Sequence, residues 1–453
     1  MPDISSHPVK DLQGKGNTPS SGSINGTANG GGKAARKAEK AARRQAKVAE
    51  QGKQNQRPAA ENISAPSTSG LAKAGRQKHE GPVSSAGSSG LSSLEQSGKD
   101  TPRGELDKRV SMFKHLDRTK RSGTADASRD IHPAVLSLTL RFASYSILGS
   151  SARCTATLRA FQTVIRDYRT PAGTSLSRNL QSHLSKQIDF LKSARPLSVS
   201  MGNAIRWLKQ QISIVPIDLS DSQARDGLVT KIDNFLRDKI EVADRVITDS
   251  AVQLIGHGDV VLTYARSSVV EKVFLEAHLR GIDFKVIVVD SRPFFEGKEL
   301  VRELATAGIR CEYILISGLS YVMNDATTVF LGAHSVTSNG HLFSRVGSAL
   351  VAMSAKWKNV PVIVCCECLK FSNDVQLDSV TFNELGVPDD LVNVSNNLSE
   401  PTLGPLKNWR AQPNLKLLNV LYDLTPPENI NKIVTEVGSL PPSSVPVILR
   451  EYS

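Results

Sequence analysis

The feature that most constrains the fold is an alternation of short β-branched runs and helical segments, which begins after Gly256-His257-Gly258. The helical segments lie at about Ser268–Leu279, Leu300–Ala307 and Gly347–Ala355. Strands and helices in this order build a parallel sheet that is covered by helices on both faces. The predicted strands are Val260–Thr263, Phe284–Val289, Tyr313–Ile316, Thr327–Leu331, Val362–Cys365 and, at the carboxyl end, Val445–Leu449.

A different pattern precedes this alternation. Apolar residues there recur at helical spacing, as in Leu176, Leu180 and Leu184, and the segments break at prolines. We therefore predict an α/β protein in which an amino-terminal helical domain, residues 130–248, is followed by a Rossmann-like parallel-sheet domain, residues 255–453.

The carboxyl-terminal part contains two further signals. Thr425-Pro426-Pro427-Glu428 carries a capping residue, a proline suited to the first helical position and the acid of a capping box, which predicts a last helix that ends at Gly438. Between Phe371 and Val420 a polar stretch with several prolines predicts a long irregular connection.

Positive charge is concentrated in front of these domains. Residues 1–130 contain 23 Lys and Arg against 13 Asp and Glu, and no aromatic residue precedes Phe113. We predict that residues 1–125 form a long disordered basic tail, because they cannot bury enough apolar area to offset chain entropy. Seven basic residues between Lys33 and Lys47 can form a transient helix that contacts RNA phosphates weakly. A solvated tail is the favoured reading, since no aromatic side chain is interleaved for base stacking.

Composition excludes several classes of protein. No run reaches the roughly 18 apolar residues of a membrane helix, and the first thirty residues lack the apolar core of a signal peptide. Five cysteines in 453 residues are too few for a disulfide scaffold. We expect a protein of the cytoplasm (cytosol), with reduced thiols and no membrane partner.

The loops after the predicted strands are where a ligand of such a sheet binds. The first loop, Tyr264–Ser268, lacks the glycines that bring a pyrophosphate close to the backbone, so no dinucleotide cofactor is predicted. Asp290 stands where a ribose-binding acid would, but a turn-stabilising role before Arg292-Pro293 is favoured.

Cysteine and histidine do not form a convincing metal site either. Cys365, Cys366 and Cys368 lie close together, but no second cysteine pair exists to complete a structural zinc site. We predict buried apolar thiols and no metal. His334 is predicted to be a hydrogen-bonded structural residue.

Several motifs resemble the regulatory alpha, beta and delta subunits of eukaryotic translation initiation factor 2B. The similarity covers about residues 133–453, and the segments around Arg195 and Thr425 resemble the delta branch in particular. The motifs that carry it are Phe330–Val336, Asn339-Gly340, Ser344–Ser348, Asn359–Val362, Cys365–Glu367, Arg195–Met201, Thr425–Glu428 and Ser443–Arg450.

The same fold family includes isomerases of methylthioribose 1-phosphate and ribose 1,5-bisphosphate, which use a Cys and an Asp. The resemblance places Ala265 at the position of the thiol and His334 at the position of the acid. Moving a proton between adjacent carbons needs such groups, so the isomerase reaction is not expected. The resemblance instead implies a vestigial phosphate pocket, whose candidate residues are Ala265, Arg266, Asp290, Arg292, His334 and Asn339.

What the resemblance implies about function is a non-catalytic regulatory subunit of the complex that exchanges GDP for GTP on initiation factor 2. The expected partners are the alpha, beta, gamma and epsilon subunits of factor 2B, in a decamer whose catalytic subunit is epsilon, and initiation factor 2 itself. The subunit is expected to help sense phosphorylation of the factor 2 alpha subunit. No cofactor is implied.

Two sets of residues are candidates for protein contacts. Arg195, Ser198, Ser200 and Arg206 are candidates for binding the phosphorylated partner, with a helix entry stabilised by Ser hydroxyls as the equal alternative. The candidates for subunit pairing are Val445, Val447, Leu449 and Arg450, with an intrachain edge strand as the alternative.

Two other functions stay open at this point. A sugar-phosphate isomerase is one, and an RNA-binding protein driven by its tail is the other.

Overall fold

A computed structural model describes residues 108–116, 130–216, 218–392 and 406–452. Most of the predicted basic tail, including the run from Lys33 to Lys47, lies outside the described residues. Residues 108–116, which belong to the predicted tail, pack on the folded chain. Leu116 is buried, and His115 Nε2 lies 2.9 Å from the carbonyl oxygen of Val380.

The described chain next forms a layer of helices, as predicted, and all of them except the last, Ala243–Val252, share one apolar core. The turns between helices follow ordinary capping chemistry. Ser198 accepts a hydrogen bond from the Met201 amide at the start of one helix, and Ser220 and Gln223 form a capping box at the start of the next. The helices are α1 Pro133–Ala143, α2 Ser150–Asp167, α3 Leu176–Ala194, α4 Val199–Ser213, α5 Asp221–Leu236 and, after a π-helical turn at Arg237–Val242, α6 Ala243–Val252.

The α/β part follows, and its strands and helices alternate as the β-branched runs predict. Its strands are β1 Val260–Tyr264, β2 Lys285–Asp290, β3 Arg310–Leu315, β4 Thr328–Gly332, β5 Ser335–Thr337, β6 Leu342–Arg345, β7 Val362–Cys365, β8 Phe371–Ser372, β9 Tyr422–Thr425, β10 Lys432–Thr435 and β11 Gly438–Leu440. Its helices are α7 Ser268–Leu279, α8 Glu296–Thr306, α9 Leu319–Val322, α10 Ser348–Trp357, α11 Asp389–Val392 and α12 Val445–Tyr452.

The main sheet has seven strands in the order β11-β10-β7-β4-β1-β2-β3. All neighbouring strands are parallel except β11, which pairs antiparallel with β10. Alternate residues of a strand point to opposite faces. Leu262 accordingly packs in the core that contains α10 and α12, whereas Val261 packs in the core that contains α6, α7 and α8.

A second sheet of four short strands, β8-β5-β6-β9, was not predicted. Its strands are two to four residues long, too short for an alternating pattern to show. Strand β5 follows β4 in the chain and pairs with β8, so this sheet joins the end of β4 to the segment after β7.

Two predictions for the carboxyl-terminal part are wrong. The segment Val445–Leu449 is not a strand but part of helix α12, since Pro446 takes an early helical position and Val445 and Ile448 pack together on the sheet. The predicted helix from Thr425 to Gly438 is absent as well. Thr425 ends β9 by pairing with Leu342, and the β-branched run of β10 pairs with β7 instead.

The stretch between Phe371 and Val420 is irregular over the part that the structure describes, as predicted. Among the described residues, no helix is both long and apolar enough to span a membrane.

Candidate functional site

A cavity of about 610 Å³ opens beyond the carboxyl ends of β1 and β4. The amino-terminal turns of α2 and α7 reach its wall, with Ser150 from the first helix and Ser268 from the second. Helix amino termini present unpaired backbone N–H groups, so this wall favours negatively charged or polar ligands. The charged side chains that line the cavity are Arg266, Glu271, Lys272, Glu296, Glu299, Arg345 and Lys370.

The backbone at the cavity floor is tightly built. Ala265 has a positive φ of 55°, which brings the chain from β1 sharply into α7. Gly332, at the end of β4, lies so close to Ser267 that any Cβ at this position would overlap the Ser267 side chain. The floor is therefore formed by two loops in direct contact.

The acids that line the cavity are held in ion pairs. Arg266 binds Glu271 at 2.8 Å and Glu299 at 2.6 Å, and Arg345 binds Glu296 at 2.6 Å. These ion pairs join the loop after β1 to the start of α8, and β6 to the same helix.

His334 lies deep in the same wall. Its ring packs 4.4 Å from the ring of Tyr422, centroid to centroid, and its backbone amide donates to the Phe343 carbonyl oxygen at 3.1 Å. Burial, followed by the positive charges of Arg153 and Arg345, lowers the pKa of His334 well below its usual value. The imidazole is therefore neutral at neutral pH.

The structure brings together three of the six residues predicted for a phosphate pocket. Ala265, Arg266 and His334 line the cavity. Asp290 and Arg292 line a smaller neighbouring cleft. Asn339 lies in the turn between β5 and β6, where it bonds to Thr337 Oγ1 at 2.6 Å and to the Gln376 carbonyl oxygen at 2.8 Å.

Asp290 has partners that fit a turn-stabilising role. Its carboxylate accepts a hydrogen bond from the Ser291 amide at 2.9 Å and from the Tyr313 hydroxyl at 3.1 Å. Gly297 packs against the same carboxylate, within 3.0 Å of where a Cβ would stand. These contacts hold Asp290 away from the cavity.

The four residues predicted to bind a phosphorylated partner separate into two groups. Arg195, Ser198 and Ser200 are buried by their own chain, and Ser198 caps α4. Direct contact with a partner does not fit these three side chains. Arg206 is exposed, and its guanidinium bonds to Asn203 Oδ1 at 3.2 Å.

Sequence reasoning missed two buried ion pairs beside the cavity. Arg195 forms a buried ion pair with Glu384 and donates to the Tyr422 hydroxyl at 3.0 Å. Lys370 forms a buried ion pair with Glu367 at 2.6 Å. The Arg195 contacts join residues that are more than 180 positions apart. No local pattern could have revealed them.

The residues predicted for subunit pairing lie on helix α12. Val445 is fully buried against the sheet, whereas Val447 is 52 % exposed and Arg450 is exposed. Leu449 is partly buried beside the same core.

A larger apolar surface lies elsewhere on the α/β part. Leu350, Met353 and Trp357 are 44, 55 and 83 % exposed and stand on one side of α10. Tyr321 of the adjoining α9 is 79 % exposed. We call these four residues the α10 face.

Comparisons with known proteins match the chain to one family. Residues 146–442 match the model of the Initiation factor 2 subunit family. Translation initiation factor eIF2B subunit delta of Schizosaccharomyces pombe is 49 % identical over 346 residues, which cover 76 % of this chain and 74 % of that protein. Ribose 1,5-bisphosphate isomerase of Pyrococcus furiosus is 31 % identical over 276 residues, which cover 61 % of this chain and 82 % of that protein.

A solved structure is similar as well. The crystal structure of the tetrameric eIF2B-beta2-delta2 complex from C. thermophilum matches with a TM-score of 0.63 and 34 % identity, over 73 % of this chain and 99 % of that chain.

Proposed function

The chain belongs to the Initiation factor 2 subunit family, and on that premise we propose that it is the delta-type regulatory subunit of translation initiation factor 2B. In this role it assembles with the other subunits of the exchange factor and adjusts how that factor acts on initiation factor 2. The similarity to delta subunits over three quarters of the chain supports the assignment.

One observation favours a regulatory role for the chain over an enzymatic one. Ala265 and His334 line the cavity, and the family resemblance places them where it implies the Cys and Asp of the related isomerases. Ala265 has no ionisable group, and the buried His334 has a pKa well below its usual value. A proton transfer between adjacent carbons requires both a group that removes the proton and a group that returns it. We infer that the chain keeps the scaffold without this reaction.

The α10 face supports a role in assembly. Its four apolar side chains are too exposed for a surface that stays in water, and such patches mark contacts between proteins. The similarity to the beta2-delta2 complex supports another factor 2B subunit as the occupant. We propose that the α10 face packs against that subunit.

For the phosphorylated partner we keep one of the four predicted residues. Arg206 is exposed on α4, and a guanidinium can bind phosphate through two parallel hydrogen bonds. Its neighbour Asn203 donates to the carbonyl oxygens of Leu369 at 2.9 Å and Phe371 at 3.2 Å. A contact at Arg206 would therefore act on the joint between the helices and the segment that closes the cavity.

An exchange assay tests the proposed function. GDP release from initiation factor 2 is measured with the complete exchange factor and with a factor reconstituted without this chain. We expect phosphorylation of the factor 2 alpha subunit to inhibit the complete factor strongly and the depleted factor weakly. Equal inhibition of both would contradict the proposal.

Sugar-phosphate isomerisation is the alternative to be tested, because of the cavity and the 31 % identical isomerase. The purified chain is incubated with ribose 1,5-bisphosphate, and the ketose product is measured. We expect no turnover above that of a sample without protein.

A further inference from the structure

We propose that Asp244 and Glu367 form an acid pair which takes up one proton as the pH falls below neutral, and that this proton tightens the junction between the helical layer and the main sheet. This device is independent of the proposed regulatory function. It consists of two buried carboxyl groups that the cavity chemistry described above does not use.

The two carboxyl groups meet where several elements converge. Asp244 belongs to α6 and is 4 % exposed, and Glu367 follows β7 and is 2 % exposed. They lie within hydrogen-bonding reach of each other. Glu367 Oε1 accepts from Ser151 Oγ of α2 at 2.9 Å, so the pair connects two helices of the helical layer to the end of a sheet strand.

Each acid has one lysine as an ion-pair partner: Lys272 Nζ lies 2.6 Å from Asp244 Oδ2, and Lys370 Nζ lies 2.6 Å from Glu367 Oε2. Among the described residues, neither Asp244 Oδ1 nor Glu367 Oε2 receives a hydrogen bond of regular geometry. A buried acceptor without a donor is unfavourable. A proton on Oδ1 removes this defect, because the resulting O–H group can donate to the Glu367 carboxylate.

The charges around the pair decide which acid takes the proton. Burial and the neighbouring Glu367 carboxylate raise the pKa of Asp244 to about 6, although Lys272 opposes them. Burial acts to raise the pKa of Glu367 as well, but Lys370 outweighs it and holds that pKa below its usual value. Asp244 is therefore the proton acceptor, and Glu367 stays ionised beside it.

The other elements packed on α6 also contribute ionisable groups. Lys239 in the π-helical turn and Glu436 between β10 and β11 both interact with Cys368, one residue beyond Glu367. Lys272 and Lys370 are the charges in direct contact with the pair.

The sign of the effect follows from proton binding. A group whose pKa is higher in the folded chain than in the unfolded chain binds more protons when folded. Its contribution is complete below the unfolded value, 3.8 for Asp, and is lost as the pH rises through about 6. Between these limits the acid pair by itself should favour the folded state about tenfold more for each unit of pH decrease, a contribution that adds to those of the other titrating groups.

Urea unfolding of the full-length chain between pH 5 and 7.5 tests the proposal. In Asp244→Asn the side chain at position 244 cannot take up a proton. We therefore expect the folding equilibrium of this variant to lack the roughly tenfold gain of the folded state per unit of pH decrease. Glu367→Gln should lose it too, because a neutral amide no longer favours a proton on Asp244. Asp249→Asn is the matched control, since Asp249 lies on the same helix but pairs with Arg280 at the surface. It should keep the wild-type pH dependence.

A spectroscopic measurement keeps the proposal testable if a variant does not fold. Infrared difference spectra of the wild-type chain between pH 7.5 and 5.5 should show a carboxylic acid band from one buried group, and Asp249→Asn should retain it. The proposal is overturned if that band is absent, or if Asp244→Asn shows the same pH dependence of unfolding as the wild type.

Discussion

Arg195 and Glu384 form an ion pair inside the protein, although 189 positions of sequence separate them. The side chain of Arg195 is fully buried and that of Glu384 is 7 % exposed. The same guanidinium stacks over the ring of Tyr145 at 4.9 Å. One arginine thus joins the end of α3 to the irregular segment that follows β8, and it supports the base of the cavity.

Removal of Glu384 should destabilise the fold strongly. The variant Glu384→Ala leaves the buried Arg195 charge without its partner, which costs about 3–5 kcal/mol in comparable buried pairs. Asp249→Ala breaks an exposed pair with Arg280 and should cost at most about 1 kcal/mol. The free energy of unfolding in urea measures both. A similar loss of the free energy of unfolding in the two variants would show that the buried pair stabilises the fold no more than the exposed pair does.

Gly332 should tolerate no side chain. In Gly332→Ala the new methyl group overlaps Ser267, so β4 or the start of α7 must shift, at about 1–3 kcal/mol. Gly202 is the control, because no atom lies within 4 Å of a Cβ placed there. Within α4, Gly202→Ala should stabilise the chain by up to about 1 kcal/mol through helix propensity. Thermal unfolding distinguishes the two, and equal melting temperatures would argue against the close packing of the cavity floor.

The α10 face should be needed for assembly and not for folding. Trp357→Ser changes a side chain that is 83 % exposed, so the isolated chain should retain its stability to within about 0.5 kcal/mol. Its association with the other factor 2B subunits should weaken at least tenfold, since large aromatic residues dominate binding energy at interfaces. Sedimentation of the mixed subunits measures this. Leu279→Ser, at a site that is 79 % exposed on α7, should leave association unchanged.

His334 should make the fold less stable in mild acid. Its pKa is lower when folded than its usual value of 6.5, so the unfolded chain binds more protons below that pH. The contribution of His334 to stability is therefore complete above about pH 6.5 and falls by up to about 1.4 kcal/mol for each pH unit below it, opposite in sign to the contribution of Asp244. His334→Gln should lack this loss, and the exposed His278→Gln should retain it. The free energy of unfolding in urea is measured at pH 7.5 and 5.5. An equal change in that free energy for the wild type and for His334→Gln would contradict the assignment.

Arg206 should affect the response to phosphorylation. Arg206→Glu reverses an exposed charge on α4. The concentration of phosphorylated initiation factor 2 that half-inhibits the assembled exchange factor should then rise at least tenfold. Arg178→Glu on α3 is the matched surface control. Unaltered sensitivity in Arg206→Glu would remove this residue from the proposed contact.

The sequence alone could predict the main sheet because its strands are β-branched runs bounded by clear helix signals. The observed β7, Val362–Cys365, and α7, Ser268–Leu279, coincide with the predicted segments. Local signals failed in the carboxyl-terminal part. A capping motif at Thr425 predicted a helix, but strand pairing of Thr425 with Leu342 prevails there.

The candidate site was only partly predictable. Ala265 and His334 were found through a family resemblance and do lie in one cavity. The ion pairs that surround them could not be found, because the partners Arg345 and Glu296 are 49 positions apart in the sequence and lie on different elements. Burial of Arg195 was hidden for the same reason, since its partner Glu384 comes from a distant irregular segment.

The mass of the native assembly tests the central claim most directly. The full-length chain is expressed together with the other factor 2B subunits, purified through a tag on this chain, and weighed by native mass spectrometry. The account predicts a complex that contains this chain together with those subunits and has no ribose 1,5-bisphosphate isomerase activity. A chain that is recovered alone, as a single species that turns over this sugar phosphate, would contradict it.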